Sequence, residues 1–288
     1  AGTMGGGIAM NFANVGIPVK ILEMNDEALE KGLGVIKKNY AATALKGRLS
    51  EAEVEERMAL LTGTTDYNEL SDADLVIEAV FENMDVKKEV FKTLSNTVRP
   101  ETILASNTSY LNIDELASVV EKPERMLGMH FFSPANVMRL LEIVRAEKTS
   151  PDVLATILKL AKTIKKVGAV AGVCHGFIGN RMLSGYASQA NRLLLEGAAP
   201  HQLDKVLYDF GMPMGVIAMA DLAGLDIGYR MRQALDETQY DVESAYLYDN
   251  LVEMGRLGQK TGAGVYDYEP GDRNPKPSSV TARLLAEA

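Results

Sequence analysis

The sequence predicts an α/β fold: a doubly wound, mostly parallel sheet covered by helices on both faces, followed by an all-α C-terminal domain. Three observations carry this. Short apolar runs alternate with amphipathic stretches over residues 1–174, the chain opens on glycines directly before a helical segment, and the texture turns almost wholly helical from residue 177. Strands that alternate with helices must be joined by crossovers, which places helices on the sheet faces.

The elements follow in order. Residues 8–15 read as a helix of small residues, and Val19-Lys20-Ile21-Leu22-Glu23 as a β-branched strand ending on an acid. Residues 26–61 carry apolar positions near the 3.6 period among Lys and Glu, which predicts a pair of helices with a solvated face. Strands are expected at 74–79 and 102–106, helices at about 85–97 and at 113–120 and 151–165, and two apolar runs lie between residues 126 and 144. The domain boundary falls near 172–176, giving a first domain over 1–174 and a second over 175–288. Breaks in the helical part are expected at Gly211-Met212-Pro213 and around 255–264, with an extended tail at 269–279 before a last short helix.

Composition narrows the function classes. A net charge of −9 argues against nucleic acid or an anionic membrane as partner. No run approaches the roughly 20 apolar residues of a membrane span. The single Cys174 excludes an internal disulfide and fits a reducing compartment, and with only His130, His175 and His201 no metal-ligand spacing is present. The N-terminus lacks the basic-then-apolar pattern of a secretory signal.

The stretch MLGMHFFSPANVMRLLEIV, residues 126–144, sets His130 and Glu142 inside apolar, strand-like runs. A buried carboxylate is costly unless paired, and a buried imidazole needs hydrogen-bond partners. The turn-like Ser133-Pro134-Ala135-Asn136 would fold the two runs together and bring the pair into contact. A histidine oriented by a carboxylate is a candidate general acid/base.

At the other end, Ala1-Gly2-Thr3-Met4-Gly5-Gly6-Gly7 precedes a helix, and Glu23 follows Gly2 by 21 residues at the end of a strand. This matches the later part of a dinucleotide fingerprint, in which Gly2 lets the backbone approach a pyrophosphate and Gly5 allows close helix packing. The expectation is a Rossmann-type domain whose fingerprint is cut after its first glycine, with the first strand missing from this chain. An acid at the end of the second fingerprint strand binds the ribose diol and repels a 2′-phosphate, which favours NAD over NADP.

With these residues in hand, the chain resembles the L-3-hydroxyacyl-CoA dehydrogenase family over essentially its whole length. The likeness rests on Ala105-Ser106-Asn107-Thr108-Ser109, Gly128-Met129-His130-Phe131-Phe132-Ser133-Pro134, Gly176-Phe177-Ile178-Gly179-Asn180-Arg181 and Lys260-Thr261-Gly262-Ala263-Gly264-Val265-Tyr266, in that order. Asp221-Leu222-Ala223-Gly224-Leu225-Asp226 and Glu253-Met254-Gly255-Arg256 look most like the dehydrogenase part of multifunctional β-oxidation enzymes.

The resemblance implies His130 and Glu142 as the catalytic pair, with Ser109 and Asn180 on the substrate oxygen. It implies cofactor contacts from Gly2, Thr3, Met4, Gly5, Glu23, Glu82, Lys87, Ser109, Ser133 and Lys260, and a CoA contact from Lys46. Many members carry Asn where this chain has Ser133, which shortens the reach of that contact. An acyl-CoA substrate, a homodimer through the helical domain and fusion to an enoyl-CoA hydratase region are further implications. So is a setting that is cytoplasmic in bacteria and peroxisomal or mitochondrial in eukaryotes.

Another enzyme reading is a different β-hydroxyacid dehydrogenase, acting on a free acid or a sugar acid. That class generally uses Lys as its acid/base, against which the His130–Glu142 arrangement discriminates, but not against relatives of the resembled family that act on sugar acids or serve as lens proteins. A non-catalytic NAD-binding structural protein and an inactive fragment are the alternatives from outside catalysis.

Overall fold

The structure is a computed structural model and describes residues 1–233 and 242–288. It divides into two compact units, residues 1–181 and 182–288.

The first unit alternates helices and strands. Helix α1 (Thr3–Ala13) leads to β1 (Val19–Leu22), then α2 (Asp26–Leu45), α3 (Glu51–Ala59) and β2 (Leu61–Thr64). β3 (Leu75–Glu78), α4 (Met84–Thr97), β4 (Ile103–Ser106) and α5 (Ile113–Ala117) follow, then the hairpin β5 (Met126–Phe131) and β6 (Leu140–Arg145). Helix α6 (Pro151–Thr163) and β7 (Val167–Gly172) complete the set before α7 (Gly179–Leu195), which runs on into the second unit.

The strands form a two-stranded parallel sheet, β1-β2, and a five-stranded sheet of order β3-β4-β5-β6-β7. Every pair in the larger sheet is parallel except β5 with β6. Two strands were not expected. Leu61-Thr62-Gly63-Thr64 is short and glycine-containing, and Val167-Gly168-Ala169-Val170-Ala171-Gly172 directly follows a helix, so neither carries a long β-branched signature. Helix α1 begins at Thr3, five residues before the expected start, because the glycines continue into it.

Both faces of the larger sheet are covered. On one, Ile8 and Phe12 of α1 and Val153, Ile157 and Ala161 of α6 pack on Leu127, Met129, Phe131, Leu141 and Ile143. On the other, Phe91 and Leu94 of α4 and Ile113 and Leu116 of α5 pack on Leu104, Met126 and Val144. Side chains alternate across a strand, so His130 and Glu142 share the second face with Met126 and Val144. Gly128 stands opposite Val144 across the hairpin, and a methyl there would meet Val144 Cβ at 2.8 Å and Ile113 Cδ1 at 3.2 Å.

The second unit is helical, with α8 (Pro200–Phe210), α9 (Val216–Ala223), α10 (Leu225–Gln233), α11 (Val242–Glu253) and α12 (Ser279–Glu287). The helical run expected from the sequence also crosses residues 234–241, which lie outside the described residues. Its core gathers Leu194, Ile217, Leu247, Leu251, Val265 and Leu284. Asp221, fully buried, accepts from the amides of Val265 and Tyr266 at 2.8 and 2.9 Å and from the Tyr268 hydroxyl at 2.9 Å, which pins the 255–268 loop to α9. Among the described residues no helix is long and apolar enough to cross a membrane.

Candidate active site

The register of the β5–β6 hairpin sets His130 directly opposite Glu142. The two side chains meet with His130 Nδ1 2.6 Å from Glu142 Oε2, and the residues are 4% and 0% exposed. The other carboxylate oxygen, Oε1, accepts from the amides of Ile178 and Gly179 at 3.0 and 2.6 Å, at the start of α7. Burial pushes the Glu142 carboxyl up, but the His130 hydrogen bond and these amides outweigh it and hold it below the usual carboxylate range. A methyl on Gly179 would come within 2.8 Å of Phe132 Cζ, so the ring that flanks His130 would have to move.

The far nitrogen of the ring, Nε2, lies 3.1 Å from Ser109 Oγ. With Nδ1 facing the carboxylate, Nε2 is the nitrogen left to exchange a proton with a bound hydroxyl. Phe132 and Phe177 flank the imidazole, with ring centroids 4.5 and 5.8 Å away.

Ser109 is held by a second group of acids. Glu82 Oε1 accepts from the Thr108 hydroxyl at 2.5 Å and from the amides of Ser109 and Tyr110 at 2.8 and 3.2 Å. Behind it, Lys87, 1% exposed, donates to Glu78 Oε1 at 2.7 Å and lies 3.4 Å from Glu82 Oε2. The parallel register sets Glu78 opposite Ser106, and Glu78 Oε2 accepts from the Ser106 hydroxyl at 2.7 Å. Nearby, Asn107 Oδ1 accepts from the Phe131 amide at 2.8 Å, which ties this loop to the β5–β6 hairpin. Sequence reasoning missed Glu78, Ser106 and Asn107, although Glu78 is a carboxylate in an apolar run, the same signal that marked Glu142.

A third group gathers at the start of α1. Gly2 is its N-cap in extended conformation with no side-chain cap, and no acid stands in the first turn. The first helical amides have no intrahelical acceptor, so the turn Gly2-Thr3-Met4-Gly5 presents donors and the positive dipole end to an anion. A methyl on Gly2 would meet nothing within 4 Å, which leaves open space before the helix. Glu23, just past β1, reaches this end of the helix, beside the Ala1 nitrogen. The donors, the space and the acid fit a dinucleotide. The close-packing role expected of Gly5 falls elsewhere, because a methyl there meets Ala79 Cβ only at 3.9 Å, whereas at Gly7 it would meet Ala135 Cβ at 3.1 Å.

The remaining candidates lie on other elements. Asn180 follows Gly179 in the first turn of α7, one residue from the amide that anchors Glu142. Ser133 is exposed and joined to Pro134 by a cis peptide bond. Lys46 is the exposed C-cap of α2. Lys260 belongs to the second unit, where it pairs with Asp226 and, by hydrogen bond and charge, holds that carboxyl below the usual range. Among the described residues no cluster of His, Cys, Asp and Glu could hold a metal ion.

A glycine-opened helix, an acid-ended strand and a sheet flanked by helices define a dinucleotide-binding domain of the dehydrogenase class. Comparison with known proteins gives the family. Residues 1–174 match 3-hydroxyacyl-CoA dehydrogenase, NAD binding domain, and residues 176–268 match 3-hydroxyacyl-CoA dehydrogenase, C-terminal domain. The chain belongs to the 3-hydroxyacyl-CoA dehydrogenase family.

It is 44% identical over 297 residues to the peroxisomal bifunctional enzyme of Danio rerio, a match covering 99% of this chain and 41% of that protein. The fatty acid oxidation complex subunit alpha of Psychrobacter cryohalolentis is 39% identical over 292 residues, covering 100% of this chain and 40% of the relative. The chain thus spans about two fifths of these relatives' length. Among solved structures, (S)-3-hydroxybutyryl-CoA dehydrogenase PaaH1 from Ralstonia eutropha superposes with a TM-score of 0.84 at 36% identity, covering 93% of this chain and 96% of that one.

Proposed function

We propose that this chain oxidises L-3-hydroxyacyl-CoA to 3-oxoacyl-CoA with NAD, and catalyses the reverse reduction. The hydrogen-bonded series Ser109–His130–Glu142 carries this reading. Oxidation of a secondary alcohol breaks the O–H and C–H bonds and forms C=O. NAD, when bound, would supply the acceptor for the hydride.

His130 takes the hydroxyl proton at Nε2, while Glu142 fixes the ring through Nδ1 and stabilises the imidazolium that forms. Ser109, 3.1 Å from the same nitrogen, holds the substrate oxygen beside it, and Asn180 acts from the start of α7. In reduction, His130 returns the proton to the forming alkoxide. Glu82 and Lys87 support the Ser109 loop and take the cofactor-side role implied by the family, as do Gly2, Thr3, Met4, Gly5, Glu23, Ser133 and Lys260. Lys46 is assigned to the CoA moiety.

Residues 1–174 are read as the cofactor domain and 175–288 as the substrate and dimerisation domain. The relatives' names, peroxisomal bifunctional enzyme and fatty acid oxidation complex subunit alpha, support a place in fatty-acid oxidation beside a second activity; that this is an enoyl-CoA hydratase is what the family resemblance implies.

The test is NADH formation on L-3-hydroxyacyl-CoA of several chain lengths, with the free hydroxy acid as control. Turnover of the thioesters is expected. NADH formation from the free acid alone would overturn the CoA assignment, and failure to bind NAD in a titration would overturn the dehydrogenase reading.

A further inference from the structure

Lys166 follows α6 and immediately precedes β7, and it is only 7% exposed. Its ammonium donates to two backbone carbonyls, Ala135 O and Met138 O, each at 2.6 Å, and lies 5.9 Å from the centre of the Phe131 ring. No carboxylate compensates it among the described residues, and burial alone pushes its amine below the usual lysine range. A buried ammonium is costly, and a methionine of similar length would fill the same space without that cost. Its hydrogen bonds to these two carbonyls are what offset that cost.

What Lys166 holds is the turn between the two catalytic strands. Residues 132–139 connect β5, which carries His130, to β6, which carries Glu142. Pro134 O already accepts from the amides of Val137 and Met138 at 2.9 Å, and Lys166 closes the same turn from the other side. Ala135, 1% exposed, sits directly on α1, so close to Gly7 that a methyl there would meet its Cβ at 3.1 Å and its amide nitrogen at 3.2 Å.

The corner that carries Lys166 also grips α1 itself. Asn11 of α1, 4% exposed, donates to Ile164 O at 2.9 Å. Between these two attachments Lys165 adopts φ of +59°, a left-handed conformation uncommon outside glycine. The corner 164–166 thus bonds the glycine-opened helix through Asn11 and the catalytic turn through Lys166.

We infer that Lys166 is a positioning residue that, through the Ala135 turn packed on Gly7, fixes the distance between the dinucleotide-binding helix α1 and His130. The inference rests on the dehydrogenase reading above. It explains why the helix needs glycine at position 7, where the turn approaches, rather than at Gly5, where a methyl would fit. Ser133 lies in the same turn, so release of the clamp reaches the cofactor side as well as the proton acceptor.

The test compares Lys166→Met and Gly7→Ala with the wild-type chain, well below their unfolding temperatures. The first removes the clamp, and the second pushes the same turn from the opposite side. Lys166→Met is expected to lower kcat about tenfold or more, since misplacement on the scale of an ångström costs up to ~10²-fold, and Gly7→Ala, which displaces the turn by a few tenths of an ångström, is expected to lower it by a smaller factor. Both should weaken NADH affinity several-fold in a fluorescence titration and leave the acyl-CoA KM within about twofold. The double variant should be no worse than the more severe single one, because both disturb one contact.

A folded Lys166→Met chain with wild-type kcat and NADH affinity, whatever its melting temperature, would overturn the inference. If Lys166→Met does not fold, Gly7→Ala decides, and wild-type kinetics there would overturn it equally. NADH affinity is read without turnover. A wild-type chain that binds NADH but does not oxidise acyl-CoA therefore defeats the functional reading, while the affinities still decide the clamp.

Discussion

His130 and Glu142 stand directly opposite each other across an antiparallel pair, imidazole nitrogen to carboxylate oxygen at 2.6 Å. The contact is fixed by backbone register, so neither residue depends on a mobile loop for its partner. Glu142 does a second job with its other oxygen, binding the amides of Ile178 and Gly179 at the start of α7. One carboxylate therefore sets both the imidazole ring and the segment that delivers Asn180.

Replacing Glu142 by Gln should lower kcat by about 10²-fold or more, because the ring loses its orienting charge and the imidazolium its stabiliser. NADH affinity should stay close to wild type, which a fluorescence titration measures. A variant with unchanged kcat would remove Glu142 from the mechanism.

The same carboxylate gives a pH signature. Its pKa in the folded chain is depressed below the ordinary value, so the stability it contributes is fully present above the unfolded-state pKa. That contribution is lost as pH falls through the folded-state value. The unfolding free-energy gap between wild type and Glu142→Gln should therefore shrink as pH falls below the ordinary carboxylate value. Chemical denaturation at a series of pH values below the ordinary carboxylate pKa measures it, and a gap that widens over that range would contradict the depressed pKa.

The buried Lys87–Glu78 pair behaves differently when halved than when removed. Lys87→Met leaves the Glu78 carboxylate buried beside Ser106 without its cation, and should cost about 3–5 kcal/mol of stability. The double variant Glu78→Gln/Lys87→Met should recover part of that loss. Denaturant unfolding of the three variants checks it, and additive losses would show that the two groups do not act as a pair.

Gly128→Ala should destabilise the chain by about 1–3 kcal/mol through overpacking, since its methyl would sit 2.8 Å from Val144 Cβ. Gly5→Ala, with its nearest contact at 3.9 Å, should cost less. Thermal unfolding ranks the two, and the reverse order would contradict the packing described here.

The contact of His130 with Glu142 was legible because alternation of apolar residues leaves a polar one conspicuous, and two such residues flanked one turn. The acid-ended β1 was legible for the same reason. Strands β2 and β7 were not, since four residues with a glycine, or a run of Val, Gly and Ala after a helix, carry little periodic signal. The Glu78–Ser106 bond depends on the register of two parallel strands 28 residues apart in sequence, which no local pattern encodes. The attachment of Lys166 to Ala135 spans 31 residues and involves a backbone acceptor, which has no residue-type signature at all.

The most direct measurement is single-turnover hydride transfer from L-3-hydroxyacyl-CoA by a His130→Ala chain whose NADH affinity is measured in parallel. Loss of the proton acceptor should slow the chemical step by about 10²–10⁴-fold with the cofactor still bound at wild-type affinity. Hydride transfer at the wild-type rate in that chain would contradict the assignment of His130 as the acid/base of the site.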